Sequence, residues 1–146
     1  TVAIVYRGTD KWTDLGGFLS MNPALYLRLG TTLKEKNNNL NFIVQTEDEG
    51  VRKQFNESYI KCKYFDETSV SKSTYRPIFL ENIGNKFEWA EYYVASLWIL
   101  SKCKILITYT GNSAFFMYLN RNTTKNMYQE ITFTETDFLK YFANNK

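Results

Sequence analysis

Two short segments carry side chains suited to holding an anion. The first is Tyr6-Arg7-Gly8-Thr9-Asp10-Lys11, which follows the apolar run Val2 to Tyr6. A guanidinium presents several N–H donors in a planar fork that matches phosphate oxygens, so Arg7 is the natural anchor. Gly8 lets the backbone approach a ligand closely. Lys11 adds a second cation, and Asp10 can orient either one. The same charges also suit an ordinary surface salt-bridge cluster, and spacing alone leaves both readings open. The second segment is Thr108-Tyr109-Thr110-Gly111-Asn112-Ser113. There a small, hydroxyl-rich turn joins an apolar strand-like run to a helical one. Thr110, Gly111, Asn112 and Ser113 offer backbone N–H groups, hydroxyls and a helix N-terminus to an anion. Simple capping of the helix by Asn112 or Ser113 uses the same residues.

The elements around these segments alternate between strand and helix periodicity, which favours a parallel sheet flanked by helices. The expected strands are Val2 to Tyr6, Asn41 to Thr46, Lys61 to Phe65, Ile105 to Thr108 and Met127 to Phe133. Asn22-Pro23 supplies an N-cap and a first-turn proline for a helix with Leu25, Tyr26, Leu29 and Leu33 on one face. Glu47-Asp48-Glu49 suits the start of a short helix that buries Val51 and Phe55. Phe87 to Lys102 reads as a longer helix, with Phe87, Ala90, Val94, Leu97 and Trp98 as its buried face. Further helices are expected from Asn112 or Ser113 to about Leu119 and from Thr134 to Tyr141. Asp66 to Lys86 is polar and long enough for a functional loop. The expectation is one α/β domain over residues 1–146, a Rossmann-like doubly wound and mainly parallel sheet. Its first and fourth strands lie side by side, and ligand binds at the carboxyl edge.

Composition narrows the chemistry. The chain has 146 residues, enough for a real core, and no histidine, which excludes a histidine base or histidine metal ligand within it. Two cysteines, Cys62 and Cys103, make neither a zinc set nor a disulfide framework and are expected as buried free thiols. Eleven Tyr, eleven Phe and three Trp imply a core and rim built from rings. The net charge of +3 tolerates an anionic ligand, but no basic cluster exceeds two or three residues, so nucleic acid is not an expected partner. The longest mostly apolar run, Tyr92 to Leu100, is far short of a membrane span. No signal-peptide pattern opens the chain; the sequence leaves the compartment open and favours the cytoplasm slightly. A central strand beginning at the second residue suggests a domain of a larger two-domain protein, with an N-terminal domain missing. Asn56-Glu57-Ser58 and Asn122-Thr123-Thr124 match glycosylation sequons, a pattern frequent by chance in an Asn-rich chain.

Arg7-Gly8-Thr9-Asp10-Lys11 after an apolar strand resembles the first motif of the α-1,6-fucosyltransferases and their relatives, which read Arg-Arg-Thr-Asp-Lys there. Phe42 to Asp48 is similar to their second motif, a strand ending in Thr-Asp-Asp. Leu100-Ser101, followed by Ile107 to Asn112, is similar to their third, a helix end, a strand and a Thr-Phe-Ser-Ser turn. The resemblance covers residues 2 to about 121, with the motifs in family order. It implies the C-terminal half of a GT-B glycosyltransferase, in which Arg7 binds the β-phosphate of GDP-fucose and Thr110 with Gly111 contacts it from the other side. Asp10 and Lys11 flank the donor, and Asp48 falls at the acidic position of the second motif. Three positions depart from the family. Its second arginine is Gly8 here, a histidine near the guanine is Val5, and an aspartate near the base aligns with Ser96.

The resemblance implies transfer of a sugar from a nucleoside diphosphate to the hydroxyl of a glycan or other acceptor. Charge on the departing diphosphate is stabilised by Arg7, Lys11 and the helix N-terminus at Asn112, with no metal and no cofactor. Asp10 is the carboxylate nearest the proposed site. The isolated chain is expected to bind donor and transfer little sugar, because a two-domain enzyme closes its site between halves. Two rival readings stand beside this one. The first is a non-catalytic nucleotide-binding or interaction domain that keeps the fold. The second is a flavodoxin-like module, whose phosphate loop would be Gly- or Ser/Thr-rich, not charged.

Overall fold

The computed structural model describes residues 1–8, 22–65 and 84–130. Thr9, Asp10 and Lys11, most of the polar stretch after Phe65, the end of the last expected strand and the expected helix from Thr134 lie outside the described residues.

The elements are β1 (Val2–Tyr6), α1 (Pro23–Lys36), β2 (Phe42–Thr46), α2 (Glu49–Asn56), β3 (Cys62–Lys63), α3 (Lys86–Ser101), β4 (Ile105–Tyr109), α4 (Asn112–Arg121) and β5 (Met127–Glu130). All pairings are parallel, in the order β3-β2-β1-β4-β5. Such a sheet needs both faces covered, and β1 accordingly reads as an unbroken apolar strand buried at every position. Right-handed crossovers put α1 and α2 on one face; the chain then reverses direction across the sheet, so α3 and α4 lie on the other. The doubly wound expectation holds, including the adjacency of β1 and β4.

Three of the four helices among the described residues start on a polar side chain that caps them. The Asn22 side chain accepts from Ala24 N at 3.0 Å with Pro23 in the first turn, and the Asp48 carboxylate accepts from Val51 N at 3.0 Å. Asn85 accepts from the N–H groups of Phe87 and Glu88. Such caps contribute about 1 kcal/mol each. The far ends of α3 and α4 are fastened by one side chain. The Arg121 guanidinium donates to the carbonyls of Ser101, Cys103, Lys104 and Lys125. This arginine is committed to the amino-terminal edge of the sheet, away from the strand ends where a ligand would sit.

Three expectations need correction. The buried stripe of α3 is Ser96, Leu97, Leu100 and Ser101, with Tyr93 half-buried; of the expected face only Leu97 is inside. Phe87 is 73% exposed, Val94 49% and Trp98 51%. The helix is apolar around most of its circumference, so periodicity does not single out a face. The two serines win the inner positions because they are small and bond to their own helix, Ser96 Oγ to Tyr93 O at 2.7 Å and Ser101 Oγ to Trp98 O at 2.6 Å. The third strand pairs only through Cys62 and Lys63, not from Lys61 to Phe65. Cys62 and Cys103 are free, as expected, but only partly buried.

Leu97→Ala should therefore cost about 2–5 kcal/mol of folding stability, the range for truncating a buried leucine. Phe87→Ala, measured in dilute solution, should stay within about 1 kcal/mol of wild type. Equal losses in denaturant titrations would restore the first assignment of faces. A second outcome concerns alkali. Burial pushes the Cys62 thiol from 9.0 up to about 12, and burial also raises Tyr64 to about 12. The unfolded thiol ionises first, so the folded chain holds more protons between these values and stability falls as pH rises. Thermal melts should show this loss between pH 9 and about pH 12, with a shallower slope for Cys62→Ala.

Candidate functional site

The sheet reverses its winding between β1 and β4, and the crevice outside their carboxyl ends is where open α/β sheets bind ligands. The pairing Val2 with Ile105, Ala3 with Leu106 and Ile4 with Ile107 fixes one offset between the strands. Carried to the strand ends, that offset sets Tyr6 level with Tyr109, Arg7 with Thr110 and Gly8 with Gly111. Tyr-Arg-Gly and Tyr-Thr-Gly leave the sheet side by side.

The two glycines are required by the two rings. A Cβ added to Gly8 would lie 2.7 Å from Tyr6 Cε1, and one added to Gly111 would lie 2.6 Å from Tyr109 Cε2. Both rings are almost fully buried and have little room to yield. The Tyr6 ring also meets Tyr26 of α1 edge-on, with centroids 5.3 Å apart. Each strand thus ends on a tyrosine whose ring supports the glycine two residues on, holding both turns close over the sheet. The repeated Tyr-x-Gly was legible in the sequence as a shared spacing.

α4 begins directly after Gly111, which is its N-cap and offers no side-chain hydrogen bond. This corrects the expectation that Asn112 or Ser113 caps the helix. Asn112 is its first residue and is exposed, while the Ser113 hydroxyl turns inward to Tyr93 Oη of α3 at 3.0 Å. With glycine as its N-cap, α4 has no capping side chain at its start, and the N–H groups of its first turn are the kind an anion can satisfy. Burial raises the Tyr93 phenol well above its usual range, with the neighbouring Tyr109 and Glu47 raising it further and Ser113 and Arg7 opposing. Tyr93 is therefore a neutral hydroxyl at ordinary pH. Arg7 and Glu47, at or just past the carboxyl ends of β1 and β2, and Tyr109, at the end of β4, thus all act on the Tyr93 hydroxyl.

Arg7 is half-buried and Gly8 buried, whereas Thr110 is exposed. Arg7, Glu47 and Thr110 each make interactions of their own in the fold. Asp48 reaches the same edge, but its carboxylate caps α2. Ser96 lies buried between α3 and the sheet with its hydroxyl bonded to its own helix. Sequence reasoning did not select Tyr93, Tyr109, Glu47 or Gln45. Tyr109 Oη and both polar atoms of the Gln45 side chain are buried without a hydrogen-bond partner, although a buried polar group is normally satisfied. Nothing in the spacing of Tyr93 or Gln45 marks them, since an apolar helix and a buried strand hide them. No cluster of three or more His, Cys, Asp or Glu side chains suited to a metal occurs among the described residues.

What the fold and edge define is a Rossmann-like α/β domain in which Arg7 and Gly8 follow β1 and the glycine-capped start of α4 follows the adjacent β4 at the switch point. No protein-family model, curated protein or solved structure matches the chain. No helix among the described residues is long and apolar enough to cross a membrane.

The ring supports give a testable asymmetry. Gly111→Ala should lose about 1–3 kcal/mol, because the added methyl must displace a packed ring. Tyr109→Phe should be neutral or stabilising, since it removes a hydroxyl that has no partner. Chemical denaturation of the two variants checks both; a large loss in Tyr109→Phe would mean that the hydroxyl is bonded in solution.

Proposed function

We propose that the crevice between β1 and β4 binds the diphosphate of a nucleoside-diphosphate sugar. In this reading the chain is the donor-binding half of a fucosyltransferase-like, GT-B-type glycosyltransferase. The observation that carries it is the parallel pairing of β1 with β4, whose register, continued past Ile4 and Ile107, brings Arg7 level with Thr110, one residue before the Gly111 N-cap of α4. A guanidinium on one side and a row of backbone N–H groups on the other form a complementary pair for phosphate oxygens. The order of three motifs resembling those of the α-1,6-fucosyltransferases supplies the sugar-transfer part of the reading.

The chemistry asked of these residues is electrostatic. As the bond from the sugar's anomeric carbon to the diphosphate oxygen breaks, negative charge grows on the diphosphate, and Arg7 with the helix N-terminus offsets it. The acceptor hydroxyl supplies the new bond to that carbon and gives up its proton to a base. Asp10 is the carboxylate proposed near the site, and Lys11 adds a further cation; both lie outside the described residues. Gly8, Asn112 and Ser113 complete the proposed donor contacts. Neutralisation rests on side chains and backbone, so donor binding should persist in EDTA.

One observation favours a second reading, a domain that keeps the fold and does not turn over. Where the fucosyltransferases carry polar residues near the base, this chain has Val5, 2% exposed, and Ser96, 2% exposed, with its hydroxyl spent on Tyr93 O. Calorimetric titration with GDP-fucose, GDP and UDP separates the readings. Preference for the guanine nucleotides supports the donor-binding half, equal affinity for all three supports a site that reads only the diphosphate, and no binding supports the interaction domain.

Arg7→Ala should weaken nucleoside-diphosphate binding at least about tenfold, since charge-assisted bonds of this kind contribute about 1.5–3 kcal/mol each. Arg7→Lys should recover only part of the loss, because an ammonium cannot make two parallel bonds to one phosphate. Unchanged affinity in a well-folded Arg7→Ala chain would return this segment to a surface salt bridge.

A further inference from the structure

The outer face of α3 is apolar and exposed, and its charges are sorted toward its ends. Ten residues from Phe87 to Lys102 are exposed, and seven of them are apolar. The three charged ones are Glu88 and Glu91 in the first half and Lys102 just past the last turn. Down the centre of this face run Phe87, Glu91, Val94 with Ala95, Trp98 and Lys102, at the three- and four-residue spacing that keeps side chains on one helical stripe.

This stripe is palindromic. About a point midway between Val94 and Ala95, Val94 and Ala95 exchange, Glu91 exchanges with Trp98, and Phe87 exchanges with Lys102. A helix rises about 1.5 Å per residue, so Glu88 lies about 10 Å to one side of that point and Lys102 about 11 Å to the other. An antiparallel copy of the helix would bring Glu88 level with Lys102 of the second chain at both ends of the seam. It would also place the small Ala95 at the centre, where the two backbones come closest.

We infer that this face is a two-fold interface between two copies of the chain, with α3 packed antiparallel against α3. Charge complementarity selects this occupant: the antiparallel arrangement sets Glu88 of each chain level with Lys102 of the other and keeps Glu91 away from its own copy, level with Trp98. A parallel arrangement would set Glu88 and Glu91 against their own copies. Lys102 is already held at this height, its Nζ donating to Asn120 O at 2.7 Å and lying 5.2 Å from the centre of the Trp98 ring. An ammonium has three donors, and one bond to Asn120 leaves donors for a carboxylate. An isologous interface of this kind closes on itself, so assembly stops at the dimer.

The test is sedimentation equilibrium of the full chain over a wide concentration range, with no nucleotide added. A reversible dimer is expected. Ala95→Arg sets two like charges against each other at the two-fold axis and should raise the dimer dissociation constant at least about tenfold. The position is exposed, and an unchanged melting temperature for the monomer shows that the fold is intact. Glu88→Lys with Glu91→Lys should weaken self-association, as should Lys102→Glu, and an equimolar mixture of the two variants should recover a one-to-one dimer. A chain that stays monomeric at all concentrations, a dimer indifferent to Ala95→Arg, open-ended aggregation, or charge variants that fail to rescue each other would overturn the inference. Nucleotide binding is not read in this experiment, so its failure leaves the donor-site reading untouched.

Discussion

The parallel pairing of β1 with β4 is the constraint on which the rest of the molecule depends. Both strands are central, and every position of β1 is sealed from water. A slip of one residue would turn Ile4 and Ile107 to the opposite face and break the packing of both layers. The register is therefore fixed by apolar burial alone, and the ends of the strands inherit that fixity. Arg7 and the turn before α4 need no lock of their own, because the core sets where each leaves the sheet.

Burial at the strand ends comes with a polar cost. Gln45 is almost wholly buried with neither side-chain oxygen nor nitrogen paired, one strand away from β4 and level with Val5. Tyr109 ends β4 on an unpaired hydroxyl. Each such group costs about 1–3 kcal/mol relative to a satisfied one. The compensation at Tyr109 is geometric: its ring supports Gly111, and a smaller residue would leave that turn without a floor. Tyr6 does the same for Gly8, so both glycines rest on aromatic plates.

Much of this was legible in the sequence. Unbroken apolar runs with helical segments between them gave the sheet, and Asn22-Pro23 and the acidic run at Asp48 marked helix starts through their capping chemistry. The inner face of α3 was not legible. A helix with aromatic and aliphatic residues on nearly all sides carries no moment to read, and its true inner face holds two serines that a hydrophobic count discards. The cap of α4 was missed for a related reason. Asn112 and Ser113 are residue types that favour capping, yet the Ser113 hydroxyl finds a better partner in Tyr93, twenty residues earlier, and the cap falls to Gly111. Long-range partners of this kind lie outside what local propensity can report.

α3 serves two surfaces at once, and its fastening explains how they stay separate. Its inner side sends Tyr93 to the crevice, braced by Trp89 stacked one turn earlier with centroids 5.4 Å apart. Its outer side carries the palindromic seam. A helix free to slide would transmit any load on the seam to the hydroxyl at the crevice. Sliding is opposed at the far end by Arg121, which ties Ser101 and Cys103 to α4 and to the chain leading into β5. It is opposed nearer the other end by the Tyr93 bond to Ser113. Because α4 is held at both of its ends by these contacts to α3, the pair behaves as one plate against the sheet. A second chain docked on the outer face would therefore load the plate as a whole and leave the distance from Arg7 to the α4 N-terminus set by the β1–β4 register.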